Sequence, residues 1–110
     1  MAETDRELLE LAAKAAGHEW RWHCVPFGRL LQIKVRDLWV FWSPLTDDGD
    51  ALRLAVKLEI QSGYSEFSGS GFASWDRGFH SVTEYGPDDP YAATRRAIVR
   101  AAAEIGRQHG

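Results

Sequence analysis

Cysteine is nearly absent from this sequence: Cys24 is the single example in 110 residues. One thiol cannot form a disulfide within the chain, and it cannot supply the several thiolates that a metal cluster needs. A disulfide scaffold is therefore excluded, and the composition is typical of a protein made in a reducing cytoplasm. An isolated cysteine is more often a small buried hydrophobic group than a nucleophile, and we expect this of Cys24.

An excess of positive charge is also missing. The chain has 13 lysine and arginine residues against 16 aspartate and glutamate residues, so that its formal net charge is −3. A protein with this balance has no global positive potential to attract nucleic acid or an anionic membrane, although one face can still be basic. Nucleic acid is therefore the less favoured kind of partner.

Neither a long hydrophobic run nor an export signal is visible. The first 17 residues, MAETDRELLELAAKAAG, contain no basic leader before an apolar run, and no run of about eighteen apolar residues occurs. We find no internal repeat and no linker rich in proline or serine. We therefore expect one domain over residues 1–110, located in the cytoplasm and not in a membrane.

Helix signals occur in three segments, each with an N-cap candidate before apolar residues at helical spacing; for the second segment the candidates are Thr46 and Asp47. The predicted helices cover residues 4–16, 47–59 and 90–106. The first begins with the capping box of Thr4 and Glu7, and Gly17 can end it with a left-handed turn. In the third, Asp89 is placed to be the N-cap and Pro90 the first helical residue.

The spacing of apolar residues also predicts which helix faces are buried. In the second helix the stripe consists of Ala51, Leu54, Ala55 and Leu58, widened by Leu52 and Val56. In the third helix it consists of Tyr91, Ile98, Ala102 and Ile105. Asp50 and Arg53 lie on the other side of the second helix, where they can form an ion pair across one turn.

Between the helices, side chains alternate as they do in strands with one buried face. The alternating segments are residues 20–25, 31–36, 64–68, 72–75 and 79–85, and the first two form a hairpin. The continuous apolar run at 38–42 either extends a strand or covers a sheet edge. The pattern predicts an α+β protein with a mainly antiparallel sheet of about four to five strands and three helices.

Two segments resemble a known family. WSPLTDDGDALRLAVKL (residues 42–58) and YGPDDPYAATRRAIVRAAAEIG (residues 85–106) are similar to small phage and prophage proteins of unknown function that carry the phage ABA sandwich domain. The aromatic-x-Pro turn and the late Arg-Ala helix also resemble NinX-type proteins of lambdoid phages. The resemblance implies a three-layer α/β/α sandwich and a phage or prophage origin. It supplies no catalytic residue, ligand or partner.

Three carboxylates crowd the start of the second helix, at Asp47, Asp48 and Asp50. They could form a cation-binding loop or the acidic first turn of a helix. A calcium loop needs a carboxylate at its twelfth position, which is Leu58 here, and no second motif supports a magnesium site. Capping and the helix dipole explain all three residues, so we predict no metal and no cofactor. A hydrolase that combines them with His80 is the least favoured hypothesis.

The four histidines show no metal-binding spacing. They are His18, His23, His80 and His109. His23 and His80 lie on predicted strands and could share a metal or a proton only if those strands are neighbours. A surface or strand-face role is the simpler interpretation.

Five tryptophans are a high number for this length, and they leave two interpretations open. They either form an aromatic core or leave rings exposed for recognition, with Trp39 and Trp75 as anchors for a protein partner. The arginines of the third helix, Arg95, Arg96 and Arg100, could contact phosphates. We expect no catalytic residue and a protein-binding module for a host or phage protein. The alternative is a nucleic-acid or nucleotide-binding module that uses tryptophan stacking and these arginines.

Overall fold

The protein has an α+β fold, and its computed structural model describes residues 4–85 and 89–108. Within these residues the helices are α1 (Asp5–Ala15), α2 (Asp48–Lys57) and α3 (Pro90–Gln108). The strands are β1 (Trp20–Val25), β2 (Gly28–Val35), β3 (Leu38–Phe41), β4 (Gln61–Ser65), β5 (Ser70–Trp75) and β6 (His80–Tyr85). The predicted α+β class, the antiparallel pairing and the three helices are confirmed.

The strands form two sheets and not one sheet of four to five strands. Their orders are β1-β2-β3 and β4-β5-β6, with antiparallel neighbours throughout. The division falls at α2, which lies between β3 and β4 in the sequence, and each strand pairs only with its sequence neighbours. The alternating pattern locates strands but does not specify which edges meet. Residues 38–41 of the apolar run at 38–42 form β3, a separate strand at the edge of the first sheet, and Trp42 follows it.

The helix ends follow the sequence closely. Thr4 accepts a hydrogen bond from the Glu7 N–H (3.2 Å), and Gly17 ends α1 with a positive φ of 76°. Of the two N-cap candidates of α2, Asp47 is the N-cap, because its side chain accepts from the Asp50 N–H (2.8 Å). At the start of α3, the Asp89 carboxylate accepts from two backbone N–H groups of the first turn. These hydrogen bonds confirm the predicted caps. Such caps can be predicted from sequence because they depend on residues only two or three positions apart.

Helix α3 is the centre of the core, because it packs against α1, α2 and the second sheet. A Cβ at Gly106 would collide with the Leu11 carbonyl of α1, and a Cβ at Gly71 would lie 2.6 Å from the Ala93 carbonyl carbon. Small residues therefore set how closely α3 approaches its neighbours. The buried surface of α3 is wider than the one predicted stripe. The predicted burial of Tyr91 is wrong, because this residue is 67% exposed.

The first sheet has an inner and an outer face, which its register defines. Leu31 and Ile33 of β2 lie on the inner face and are buried. On the same face, the Trp22 indole N–H donates to the Glu10 carboxylate of α1 (2.7 Å). The outer face carries Arg21, His23, Gln32, Trp39 and Phe41. Towards the β2–β3 turn the apolar side chains of the inner face, Val35, Leu38 and Val40, are exposed.

Candidate functional site

The exposed part of the inner face borders a groove of about 610 Å³ between the first sheet and α2. Its apolar lining consists of Ile33, Val35, Leu38, Val40, Trp42 and Leu54. Its charged or titratable rim consists of His18, Arg36, Asp50, Arg53 and Lys57. Phe41 also lines the groove, although its side chain belongs to the outer face. We refer to this site as the β3 groove.

Several apolar side chains of the β3 groove face water. Leu38 is 67% exposed and Val35 and Val40 are each 40% exposed, although Ile33 on the same face of the sheet is buried. Burial on this face therefore decreases from Ile33 towards the β2–β3 turn. A group of neighbouring exposed apolar side chains with a polar rim is typical of an interaction site.

The rim of the β3 groove carries uncompensated positive charge. The carboxylate of Asp50 accepts from the Arg53 guanidinium (2.7 Å) and from the Ser43 N–H (2.9 Å), so its charge is already balanced. The hydrogen bond with Asp50 is also the main reason that the pKa of Arg53 is raised. Within the described residues, Arg36 and Lys57 make no ion pair. Two cations of the groove are therefore available to a ligand.

Histidine 18 closes one side of the β3 groove. Its ring packs edge-on against Trp42, with 5.8 Å between the ring centroids. Burial lowers the pKa of His18, and the nearby charge of Lys57 lowers it further. The imidazole is therefore neutral near pH 7, and it adds no charge to the rim under those conditions.

The outer edge of β3 is open. In the part of the chain that the structure describes, no strand pairs with β3 on the side away from β2. The Trp42 N–H donates to the Leu31 carbonyl (3.0 Å), and the alternation of an antiparallel ladder then directs the backbone groups of Trp39 and Phe41 away from β2. Strand β3 has the sequence LWVF, without the charge or proline that commonly blocks such an edge.

The two candidate tryptophans lie in different sheets and are not brought together. Trp39 is half-buried on the outer face, where the Arg21 guanidinium lies 4.3 Å from the centroid of its ring. Trp75 is only 8% exposed and stacks on His80 of β6, at 5.4 Å between centroids. The ring of Trp39 is partly accessible, whereas that of Trp75 is mostly covered.

The three candidate arginines of α3 all have carboxylate partners. Arg95 donates to Asp48 (2.6 Å), Arg96 to Asp5 (2.8 Å) and Arg100 to Glu84 (2.6 Å). The hydrogen bond with Asp5 is the largest of the effects that raise the pKa of Arg96. These arginines join α3 to the start of α2, to α1 and to β6, so their charges are largely balanced within the protein.

The acidic turn is occupied by structural contacts. Asp47 caps α2, Asp48 pairs with Arg95, and Asp50 binds Arg53 and the Ser43 N–H. Over residues 4–85 and 89–108, no three His, Cys, Asp or Glu side chains are grouped as a metal site would require. The interpretation of the acidic turn as the start of a helix is confirmed, with Asp47 and not Thr46 as the N-cap.

The prediction that His23 and His80 lie on strands is confirmed, whereas the prediction for Cys24 is not. His23 lies on β1 and His80 on β6, so their strands belong to separate sheets and the condition for a shared metal or proton, neighbouring strands, is not met. His109 lies outside the described residues. The expected burial of Cys24 is wrong: it is exposed, because it pairs with Arg29 near the end of the hairpin.

Sequence reasoning did not identify the β3 groove. The uninterrupted apolar run at 38–42 was its only signal, and such a run is equally typical of a buried strand. Which of these residues are exposed depends on where α2 lies against the sheet, and this is a tertiary feature. Arg36 and Lys57 gave no signal at all, because isolated cations are common on any surface.

The comparisons with known proteins yield no relative. The chain matches no protein-family model, no curated protein and no solved structure. Among the described residues, no helix has both the length and the apolar character needed to cross a membrane. The resemblance of residues 42–58 and 85–106 to phage proteins therefore remains a proposal.

Proposed function

We propose that the protein is a non-catalytic protein-binding module, an accessory protein of a phage or prophage that acts on a host or phage protein in the bacterial cytoplasm. The observation that carries this proposal is the β3 groove, in which Val35, Leu38 and Val40 expose apolar surface beside unpaired cations. The resemblance of residues 42–58 and 85–106 supports the phage setting, and with it a layered α/β/α sandwich.

The contacts of the acidic turn favour binding over the hydrolase hypothesis. A hydrolase would need Asp47, Asp48 and Asp50 to converge with a proton donor in a cleft. Each of these carboxylates instead has its own structural partner. His80 lies in the other sheet and stacks on Trp75.

A nucleic-acid or nucleotide-binding module is the second candidate. The observation in its favour is the outer face of the first sheet, where the cation of Arg21 lies over the Trp39 ring and Phe41 lies on the same face. Exposed rings beside an arginine are typical of stacking platforms. However, Arg21 already covers the Trp39 ring, and the arginines of α3 are paired with carboxylates. The β3 groove therefore supports protein binding more strongly.

Two matched leucine variants test the proposed function. Leu38 in the β3 groove is 67% exposed and Leu52 on α2 is 64% exposed, so replacing either by serine removes a similar apolar area. We expect immobilised wild-type protein and Leu52→Ser to retain the same protein from a bacterial or phage-infected lysate, and Leu38→Ser to lose it. Thermal unfolding checks that both variants are folded. Equal retention by Leu38→Ser would contradict the proposed function.

A further inference from the structure

We propose that the β3 groove binds an extended segment of a partner protein, in which apolar residues at alternate positions are flanked by acidic residues. The segment adds to the outer edge of β3 as a fourth strand of the first sheet. This inference rests on the proposed function and specifies the kind of partner.

The open edge of β3 is the first argument. The backbone groups of Trp39 and Phe41 point away from β2, and no described strand accepts them. A partner strand about 4.8 Å away would satisfy them with main-chain hydrogen bonds, as in other cases of strand addition. The four apolar residues of β3 contain nothing that prevents this pairing.

The position of the apolar lining is the second argument. Successive side chains of an added strand point to opposite faces of the sheet. Every second side chain of the segment would then lie on the inner side, over the space bordered by Leu38, Val40 and Leu54. An apolar residue at each of these positions buries surface that is otherwise exposed to water, which is the main source of affinity.

The charge of the rim is the third argument. Arg36 and Lys57 have no ion pair among the described residues, whereas Arg53 is balanced by Asp50. The groove is thus locally positive in a protein whose net charge is −3. Opposite charge on the ligand speeds association and selects against basic segments.

The same charge disfavours a second copy of the chain as the occupant. In a two-fold dimer the same surface contacts itself, so the positive rim would face another positive rim. Neighbouring like charges oppose such a contact. An acidic segment of a different protein can form hydrogen bonds with the open backbone edge of β3 and ion pairs with Arg36 and Lys57.

Peptide selection tests the chemistry of the occupant. A library of random peptides is selected on immobilised wild-type protein after depletion on Leu38→Ser. We expect the enriched peptides to contain aspartate or glutamate beside alternating apolar residues. Fluorescence anisotropy of labelled peptides should show binding weakened roughly tenfold or more in the double variant Arg36→Glu, Lys57→Glu, since two attractions become repulsions. Arg29→Glu, at the far end of β2, is the control and should bind as the wild type does.

Methylation of the peptide backbone tests strand addition separately. Methyl groups are placed on the amide nitrogens of one selected peptide, one position at a time. Methylation of the amides that face β3 removes a hydrogen bond and obstructs the approach, so binding should fall about tenfold or more at every second position. The intervening amides face away from β3, and their methylation should change binding little.

The outcomes separate this inference from the proposed function. Peptides that depend on Leu38 but are basic, or that lack the alternating sensitivity to methylation, would overturn the strand-addition inference and leave protein binding intact. Failure to obtain any Leu38-dependent peptide would count against both. Sedimentation that shows a dimer dissociated by Leu38→Ser would identify a second copy as the occupant and also overturn the inference.

Discussion

Individual side chains at the start of α2 join two parts of the molecule. Asp47 accepts from the N–H of Asp50, and Asp50 accepts from the N–H of Ser43 in the loop that follows β3. The half-buried carboxylate of Asp50 therefore connects α2 to the end of the first sheet. Since α2 forms one wall of the β3 groove, this hydrogen bond helps to set the width of the groove.

Replacing these carboxylates should lower stability by different amounts. We expect Asp47→Ala to cost about 0.5–2 kcal/mol through the loss of the N-cap. Asp50→Ala should cost about 1.5–3 kcal/mol, because a charge-assisted hydrogen bond to a half-buried N–H is lost. Urea denaturation measures both, with Glu66→Ala in an exposed turn as the control. If millimolar magnesium raises the melting temperature of the wild type but not of these variants, the capping interpretation is wrong.

Histidine 18 gives the stability a pH dependence with a definite sign. Burial and Lys57 lower its pKa in the folded protein below the ordinary value of 6.5. Below pH 6.5 the unfolded chain therefore binds more protons at this residue than the folded chain does, and stability falls as the pH falls. We expect His18→Gln to lose less stability than the wild type between about pH 7 and pH 5.

The variant Lys57→Gln separates the two causes. It removes the charge but leaves the burial, so the loss of its unfolding free energy between these pH values should lie between those of the wild type and His18→Gln. Chemical denaturation at each pH provides the measurement. Equal pH dependence in the wild type and His18→Gln would show that His18 is not responsible.

Whole elements are positioned by close contacts between helix and sheet. Gly106 lies where α3 crosses α1, and Gly71 lies where β5 meets α3. At both positions an added Cβ would overlap backbone atoms, which cannot move without shifting the element. Gly49 in α2 differs. An added Cβ would lie 3.2–3.3 Å from side-chain atoms only, those of the flexible Arg53 guanidinium and of the Asp47 carboxylate that caps the helix.

Three glycine-to-alanine variants test this arrangement. Gly106→Ala and Gly71→Ala should each destabilise the protein by about 1–3 kcal/mol or more. Gly49→Ala should be neutral or stabilise α2 by up to about 1 kcal/mol, because alanine is the better helix former and Arg53 can move. Thermal or urea unfolding gives the comparison. If Gly49→Ala is the most destabilising of the three, the close packing of α3 is not as described.

The elements also show which parts of the fold can be predicted from sequence. The ends of α1 and α2 could be predicted, because their caps depend on neighbours such as Thr4 and Glu7. The division into two sheets could not be predicted, because the alternation of side chains in β4 does not indicate which strand it pairs with. Likewise, the spacing in α2 predicted burial for Leu52 and Val56, but both are exposed because α2 is covered on one narrow side only. The β3 groove depends on that same placement.

At the scale of the whole molecule, the distribution of charge matters more than its total. The net charge is −3, yet the positive rim of the β3 groove faces solvent. Three arginines of α3 add positive charge to the sequence, but each forms an ion pair within the protein. The pairs are Arg95 with Asp48, Arg96 with Asp5 and Arg100 with Glu84. Local pairing therefore decides which cations a ligand can use.

Nucleic acid should bind weakly for this reason. We expect no quenching of tryptophan fluorescence by single-stranded oligonucleotides that corresponds to a Kd tighter than about 10 μM near physiological salt. A triple variant with Arg95, Arg96 and Arg100 changed to alanine should show the same absence of quenching, and thermal unfolding checks that it is folded, since these arginines join α3 to its neighbours. The corresponding lysine variant keeps the charge as a control. Salt-sensitive micromolar binding that disappears in the alanine variant alone would favour the nucleic-acid alternative.

The most direct test of the β3 groove compares the dissociation constants of the Leu38→Ser and Leu52→Ser variants with that of the wild type. Each is determined by titration with the purified partner or with a selected peptide. Burial of a leucine side chain contributes on the order of 1.5–3 kcal/mol, so Leu38→Ser should weaken binding about tenfold or more. Leu52→Ser, with a similar exposed area on the opposite side of α2, should change the Kd less than about twofold. The same Kd for both variants, or a larger loss with Leu52→Ser, would contradict the assignment of the β3 groove as the binding site.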